Sequence, residues 1–393
     1  MKGEAMNSTK EQKLARIHAA ASHREADRIP VGESFWTGFL KKLDAYHGHS
    51  IDPYRQFDLD YLMVIPNMDP AIRRFEIQKA GKEDIRIKTG FGATLLRRGD
   101  IPMPHYEAFA VTSAAQLKDF AFDPPRDPRR LYGAGDDQIN CVGDTLLRSI
   151  PCWNARLDSY CDDFPVFGGI CEAYEYVWRI TGTENALYWM LTEENAFGDF
   201  VECVGDFLVG LTEYQISEAR GRLAGVCIYG DVAYTNGMLF SPEKWRELFA
   251  PVTKRLIDTI HAAGLLAYYH GCGNAYPIFD DLAAMGLDFY NPLEAKAGLD
   301  VVELKKEYAG RMAFAGNIDV RALESGNRKQ IKKEVLYKLQ AGAGGGWMCA
   351  SDHSISSFVE PQSYEYMVEL LREYGSLPLD TERLKAELEA LER

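Results

Sequence analysis

Two residues able to bind soft or borderline metals stand two positions apart in His270-Gly271-Cys272, and another thiol, Cys349, follows a glycine run near the end of the chain. At the exit of an extended strand, side chains two apart point the same way. If Cys349 lies at the exit of a neighbouring strand, one imidazole and two thiolates converge on one point, a set suited to zinc with an open fourth position. Such a zinc can activate water, polarise a carbonyl or hold a reactive thiolate. Two sulfur ligands weaken it as a Lewis acid for hydrolysis and favour alkyl transfer through a soft nucleophile. The plainer reading is that the His-x-Cys pair is accidental and Cys349 an ordinary core residue. The other cysteines, at 141, 152, 161, 171, 203 and 227, show no metal spacing.

Other polar residues recur where apolar runs end. They include Tyr229 and Asp231, Asn274, Asn291 and Glu294, Asn317 and Asp319, and Asp352 and His353, with Glu33, Asn67 and Glu172 from the first half. Asp231, Glu294 and His353 are the catalytic candidates, and Glu294 is also a candidate for the fourth metal position. Tyr229, Tyr234, Asn236 and Asn274 are candidates to face a cofactor or substrate. The alternatives are helix capping or arginine pairing for Asp231 and Glu294, a backbone partner or Asp352 for His353, and strand packing for the tyrosines.

The elements that must position these residues are clearest in the second half. Residues 223–231, 265–270, 287–294, 311–319 and 345–354 read as short apolar strands, each followed by an amphipathic helical stretch. Ser241 and Pro242 mark a helix start, Pro251 a kink or break, and Gly286 a helix end. In the first half, residues 29–36, 60–66 and 166–173 are further strand candidates. Eight parallel strands alternating with helices predict a closed (β/α)8 barrel whose site lies at the strand ends. Residues 85–113 read as an antiparallel, hairpin-like insertion over it, the N-terminus as a helical extension, and 376–393 as a charged surface helix on a single domain spanning 1–393. An open doubly wound sheet would want a phosphate loop after its first strand, and neither GxGxxG nor GxxxxGK[ST] stands there.

Forty-four basic against 58 acidic residues give a formal charge of −14, which argues against a nucleic-acid binder. The polar start and the lack of a long apolar run predict no secretory leader or membrane span, hence a cytoplasmic protein with reduced thiols.

The segments ADRIPV (26–31), GDVAYTNGMLFSPEKWRELFAP (230–251), HAAGLLAYYHGCGN (261–274), GLDFYNPLE (286–294), LKKEYAGRMAFAGNID (304–319) and GGGWMCASDHSI (344–355) resemble the uroporphyrinogen decarboxylase superfamily. The resemblance implies a barrel with a deep mouth. True decarboxylases of this kind carry a pattern similar to RQAGRYLPEY, whose arginines hold propionates. The corresponding GESFWTGFLKKL (32–43) has no arginine. The His-x-Cys pair with a distant cysteine is similar instead to the zinc- and corrinoid-dependent methyltransferases. That implies zinc on His270, Cys272 and Cys349, and methyl transfer between a corrinoid and a methyl ether, a methylamine or a thiol. No DxHxxG motif is present, so the corrinoid is expected on a separate partner protein; a homodimer is a further expectation of the resemblance. The alternative is a metal-free decarboxylase in which Asp231 and His353 protonate a carbanion-like intermediate. A non-enzymatic binding role is the third reading.

Overall fold

The structure is a computed structural model that describes residues 7–72, 76–80, 84–98, 105–132, 140–142, 145–147 and 152–393. Its centre is a curled parallel sheet of seven strands, β1 (Leu62–Val64), β2 (Val166–Cys171), β3 (Leu223–Tyr229), β4 (Leu266–His270), β5 (Phe289–Asn291), β6 (Ala313–Ala315) and β7 (Trp347–Met348), paired in chain order. Helices separate successive strands from β2 onward, and the connections obey the βα alternation expected of a parallel sheet.

The strands are apolar on both faces because both are covered, as parallel strands require. Their side chains still divide with period two. Tyr61, Phe167, Cys227, Tyr268, Phe289, Ala313, Ala315 and Met348 fill the interior. Val226, Ile228, Ala267, Tyr269, Tyr290, Phe314, Trp347 and Cys349 belong to the outer layer packed against the helices. Ile17 and Ala20, from helix Lys10–Ala21, join the interior cluster. That helix is held at the base of the barrel by a hydrogen bond from Gly346 N to the Ala20 carbonyl (3.1 Å).

The expected strand at 29–36 forms no regular strand. It makes isolated bridges instead, Val31 to Cys349 and Phe35 to Ile355. Cys349 N donates to Pro30 O (2.8 Å), Gly32 N to Cys349 O (2.9 Å) and Asp60 N to Val31 O (2.7 Å). The segment therefore links the two edges of the sheet, beside β7 and before β1. Pro30 offers no N–H to a ladder, which limits regular pairing there. Buried Asp60 clamps the same place. It accepts from Val31 N (2.6 Å), Arg16 (3.0 Å) and Arg28 (2.6 Å).

The insertion is a four-stranded antiparallel sheet, Glu76–Ala80, Asp84–Lys88, Thr94–Arg98 and His105–Ala108, paired in chain order. It begins ahead of residue 85, where the sequence reading starts it. A second antiparallel pair, Asn140–Val142 with Thr145–Leu147, was not expected. Ser241 caps helix Pro242–Leu248, and Pro251 sits in the first turn of the separate helix Ala250–Ala262, as its missing N–H allows. The chain closes with helix Thr381–Glu392. Among the described residues, no helix is long and apolar enough to cross a membrane.

Candidate metal centre

The upper ends of β3, β4 and β5 are in register, with Tyr229, His270 and Asn291 side by side. His270 shares the inward parity of Tyr268. Its Nδ1 lies 2.5 Å from Asn291 Oδ1, while Asn291 Nδ2 donates to the Ala315 carbonyl (3.1 Å). With the amide nitrogen committed, the Asn291 oxygen must face the ring, so Nδ1 carries the proton and Nε2 the lone pair. Nε2 stands 3.8 Å from Cys272 Sγ.

Cys272 is placed by the turn after β4. Its N–H donates to Asp231 (2.8 Å), and the next N–H, of Gly273, donates to Glu294 (3.1 Å). Gly273 has φ +80°, and a Cβ there would come within 2.7 Å of Tyr234 backbone atoms. Only glycine fits both demands.

Ligand atoms of Cys272, Glu294 and His353 lie within 4.8 Å of one another. Asp352 brings two of them together: its carboxylate accepts from Ala295 N and from Val320 N, both at 2.8 Å, tying the loop after β5 to the loop after β7. Asn317 fixes the rest of the β5 loop, donating to the Leu293 and Leu299 carbonyls and accepting from Val301 N. His353 Nδ1 faces the Ser354 carbonyl (3.1 Å), and its ring stands edge-on to Trp36.

The structure thus regroups the expected ligands. His270 Nε2 comes up to Cys272, and Cys272 also groups with Glu294 and His353. Cys349 does not: it is fully buried in the outer layer, on the opposite face of its strand from the interior residue Met348. Asp231 sits on the rim as the acceptor of the Cys272 N–H. Tyr229 is half-buried beneath it, with its hydroxyl on Met68 Sδ (3.7 Å). Tyr234 is exposed, and Asn236 is exposed in the turn between Ala233–Tyr234 and Gly237–Met238. Asn274 is spent on local structure, donating to the Ala297 carbonyl (3.2 Å) and accepting from Tyr276 N (3.2 Å).

The electrostatics suit a cation. Burial pushes the Cys272 thiol well above its usual range, and the charges of Asp231 and Glu294 push it further. Desolvation, then Glu175, raises the Asp231 carboxyl, against the pull of His270. A thiol ringed by carboxylates is poorly placed to act as a free nucleophile, which needs a positive environment. It is well placed to bind a metal, whose charge reverses that balance. The donor set also fits zinc in type and spacing, since two tetrahedral ligands of S and N type stand about 3.6 Å apart.

Beside this group lies a small cavity of about 60 Å³ lined by Glu33, Tyr54, Tyr61, Met63, Tyr268, His270, Asn291, Ser351 and His353, among others. Burial raises the Glu33 carboxyl to about 7 even though Ser34 and Ser351 donate to it. Glu33 and Asn291 both stand at expected strand ends, and only the structure gives them a part in the site.

A parallel α/β barrel with its polar cluster at the strand ends defines the class. The model described as uroporphyrinogen decarboxylase (URO-D) matches residues 150–374, and the chain belongs to that family. No curated protein matches it. Among solved structures, a methyltransferase from Methanosarcina mazei aligns with a TM-score of 0.65 at 15% identity, over 92% of this chain and 98% of that one. Two others align less well. A Penicillium canescens endo-1,4-beta-xylanase gives 0.36 at 10% identity over 69% and 92% of the two chains. A B12-independent methionine synthase from a Shewanella species gives 0.41 at 8% over 94% and 98%.

Proposed function

We propose that the protein is a zinc-dependent methyltransferase that moves a methyl group between a small organic donor or a thiol and a corrinoid carried by a separate protein. The observation that carries this reading is the grouping of Cys272 with Glu294 and His353, with the His270 Nε2 lone pair facing Cys272 Sγ from the other side of the pair. These residues would hold the metal, which when bound supplies a positive centre able to activate a thiolate or a comparable soft group. Asn291 keeps the His270 tautomer, Asp231 orients the turn carrying Cys272, and Asp352 holds Glu294 beside His353. The family supports an enzyme, and the Methanosarcina mazei protein of similar fold is named a methyltransferase, which agrees with the reading. A carrier protein would dock over residues 229–236, 270–276 and 349–354, where Tyr234 and Asn236 stand exposed.

The test has two parts. Purified protein should contain close to one zinc per chain. With cob(I)alamin or a dedicated corrinoid protein and a panel of methyl donors, the absorbance change of methylation should appear, or the reverse change with methylcobalamin and thiols. Fewer than about 0.2 zinc per chain with no binding on titration would reject the metal, since a site of this donor set should bind far more tightly.

A second reading, a metal-free decarboxylase, draws on one observation. The Glu33 carboxyl, raised to about 7, lines the same cavity and can carry a proton at neutral pH. An activity that survives Cys272→Ala at near-normal rate would favour it.

A further inference from the structure

Glu294, one of the grouped ligands, is already paired. Its Oε1 lies 3.3 Å from the Lys296 ammonium, and its Oε2 accepts from Gly273 N (3.1 Å). The two halves of this ion pair differ in freedom. The Glu294 side chain is 5% exposed and the Lys296 side chain 45%. The backbone on either side of Lys296 is pinned. Ala295 N donates to Asp352 (2.8 Å), the Ala297 carbonyl accepts from Asn274 Nδ2 (3.2 Å), and Ala297 N donates to the Glu294 carbonyl (3.0 Å), closing the single turn Ala295–Ala297. The carboxylate is therefore held in place. The ammonium, a hydrated point charge on a flexible stem, can turn out to water with no change in the backbone.

Among the described residues, Lys296 is the one basic side chain paired with a member of the Cys272, Glu294 and His353 group. Its charge is also felt at Cys272, opposite in sign to the effects of Asp231 and Glu294. A divalent ion held by that group would sit against the same carboxylate, and two cations drawn to one carboxylate repel each other. Of the two partners of Glu294, the Gly273 N–H is fixed by its turn and only the ammonium is free to leave.

We infer that Lys296 is a built-in competitor for the metal, its ammonium and a divalent ion exchanging on Glu294. Lys296 thus sets how tightly the ion is held, a positioning residue that acts through Glu294. This exchange rests on the metal site of the reading above.

Zinc affinity is measured by competition against a chelator in the unaltered full-length protein and in Lys296→Met, which keeps the length of the stem and removes the charge. Lys296→Met is expected to bind zinc about two- to fivefold more tightly, the scale of one half-exposed ion pair. The gain should shrink as salt is raised. Unchanged or weaker binding by a folded Lys296→Met would overturn the inference, since a lysine that merely props Glu294 in place would weaken the site on removal. A second measurement needs no variant. Reductive methylation of the unaltered protein, read peptide by peptide by mass spectrometry, should modify Lys296 faster with zinc than without, relative to the other lysines. A Lys296 rate indifferent to zinc would by itself overturn the exchange. Zinc bound equally by both proteins rejects the exchange and leaves the metal reading standing. No zinc uptake by either rejects the metal reading and the exchange with it.

Discussion

Replacing Asn291 with leucine, close to it in shape, tests whether the cluster at the mouth is organised as a metal centre. The change deletes the acceptor of the His270 Nδ1 proton and the donor to the Ala315 carbonyl. Without that acceptor the imidazole is free to place its proton on Nε2, the atom facing Cys272, and the ring loses its anchor. Partners of this kind are worth 10- to 100-fold in metal affinity, about 1.4–2.8 kcal/mol. The orphaned carbonyl and ring N–H add a stability cost of about 1–3 kcal/mol each. Zinc affinity is measured by competition against a chelator, and folding by urea titration, so the two effects are read separately. The expected result is a folded protein with zinc bound 10- to 100-fold more weakly. A folded Asn291→Leu with unchanged zinc affinity would refute the role given to His270.

Cys349→Ala should leave zinc affinity within about twofold while costing about 1 kcal/mol in stability, whereas His353→Ala or Cys272→Ala should each abolish stoichiometric zinc. Asp60→Asn leaves Arg16 and Arg28 partly uncompensated and should destabilise the fold by about 3–5 kcal/mol in urea titrations, with metal stoichiometry retained in the folded fraction. Gly273→Ala should destabilise the turn and weaken zinc binding, because its φ of +80° and the 2.7 Å approach of Tyr234 exclude a methyl group. Acid should unfold the base of the barrel. The Asp27 carboxyl is lowered by its bonds from Arg16, and at Asp58 the bond from Ser8 and the charge of Lys13 outweigh burial. Depressed carboxyls stabilise the fold above their unfolded value near 3.9, and that contribution is lost as pH falls through the lower folded values. Urea midpoints measured from pH 5 downward should therefore drop, and Asp58→Asn should flatten the drop.

The alternation of strands and helices was legible because each barrel strand is a short apolar run and the helices carry ordinary caps, such as Ser241 before Pro242. His270 and Cys272 were legible as a pair because a strand exit places them together. Cys349 stands apart from that pair in the structure. Met348 takes the inward position of β7 and Cys349 the outer one, an alternation that a two-residue strand does not reveal in its sequence, and the next ligand type beyond the strand is His353. The segment 29–36 looked like a strand because Ile29, Val31 and Phe35 alternate, but Pro30 and the Asp60 clamp give it bridges instead of a ladder. The joint role of Asp352 depends on contacts between distant parts of the chain, which local pattern does not carry.

Helix Lys10–Ala21 has a consequence for the order of events. By placing Ile17 and Ala20 in the interior cluster it stoppers the base, so the mouth serves as both entrance and exit. In a cycle of the proposed kind, a bulky carrier seated over that mouth would trap whatever lay beneath it. The small substrate must then arrive before the carrier and its remnant depart after it, a compulsory sequence. Initial-rate kinetics should show the carrier at saturation slowing release of the small product, and excess carrier acting as an inhibitor against an empty cavity.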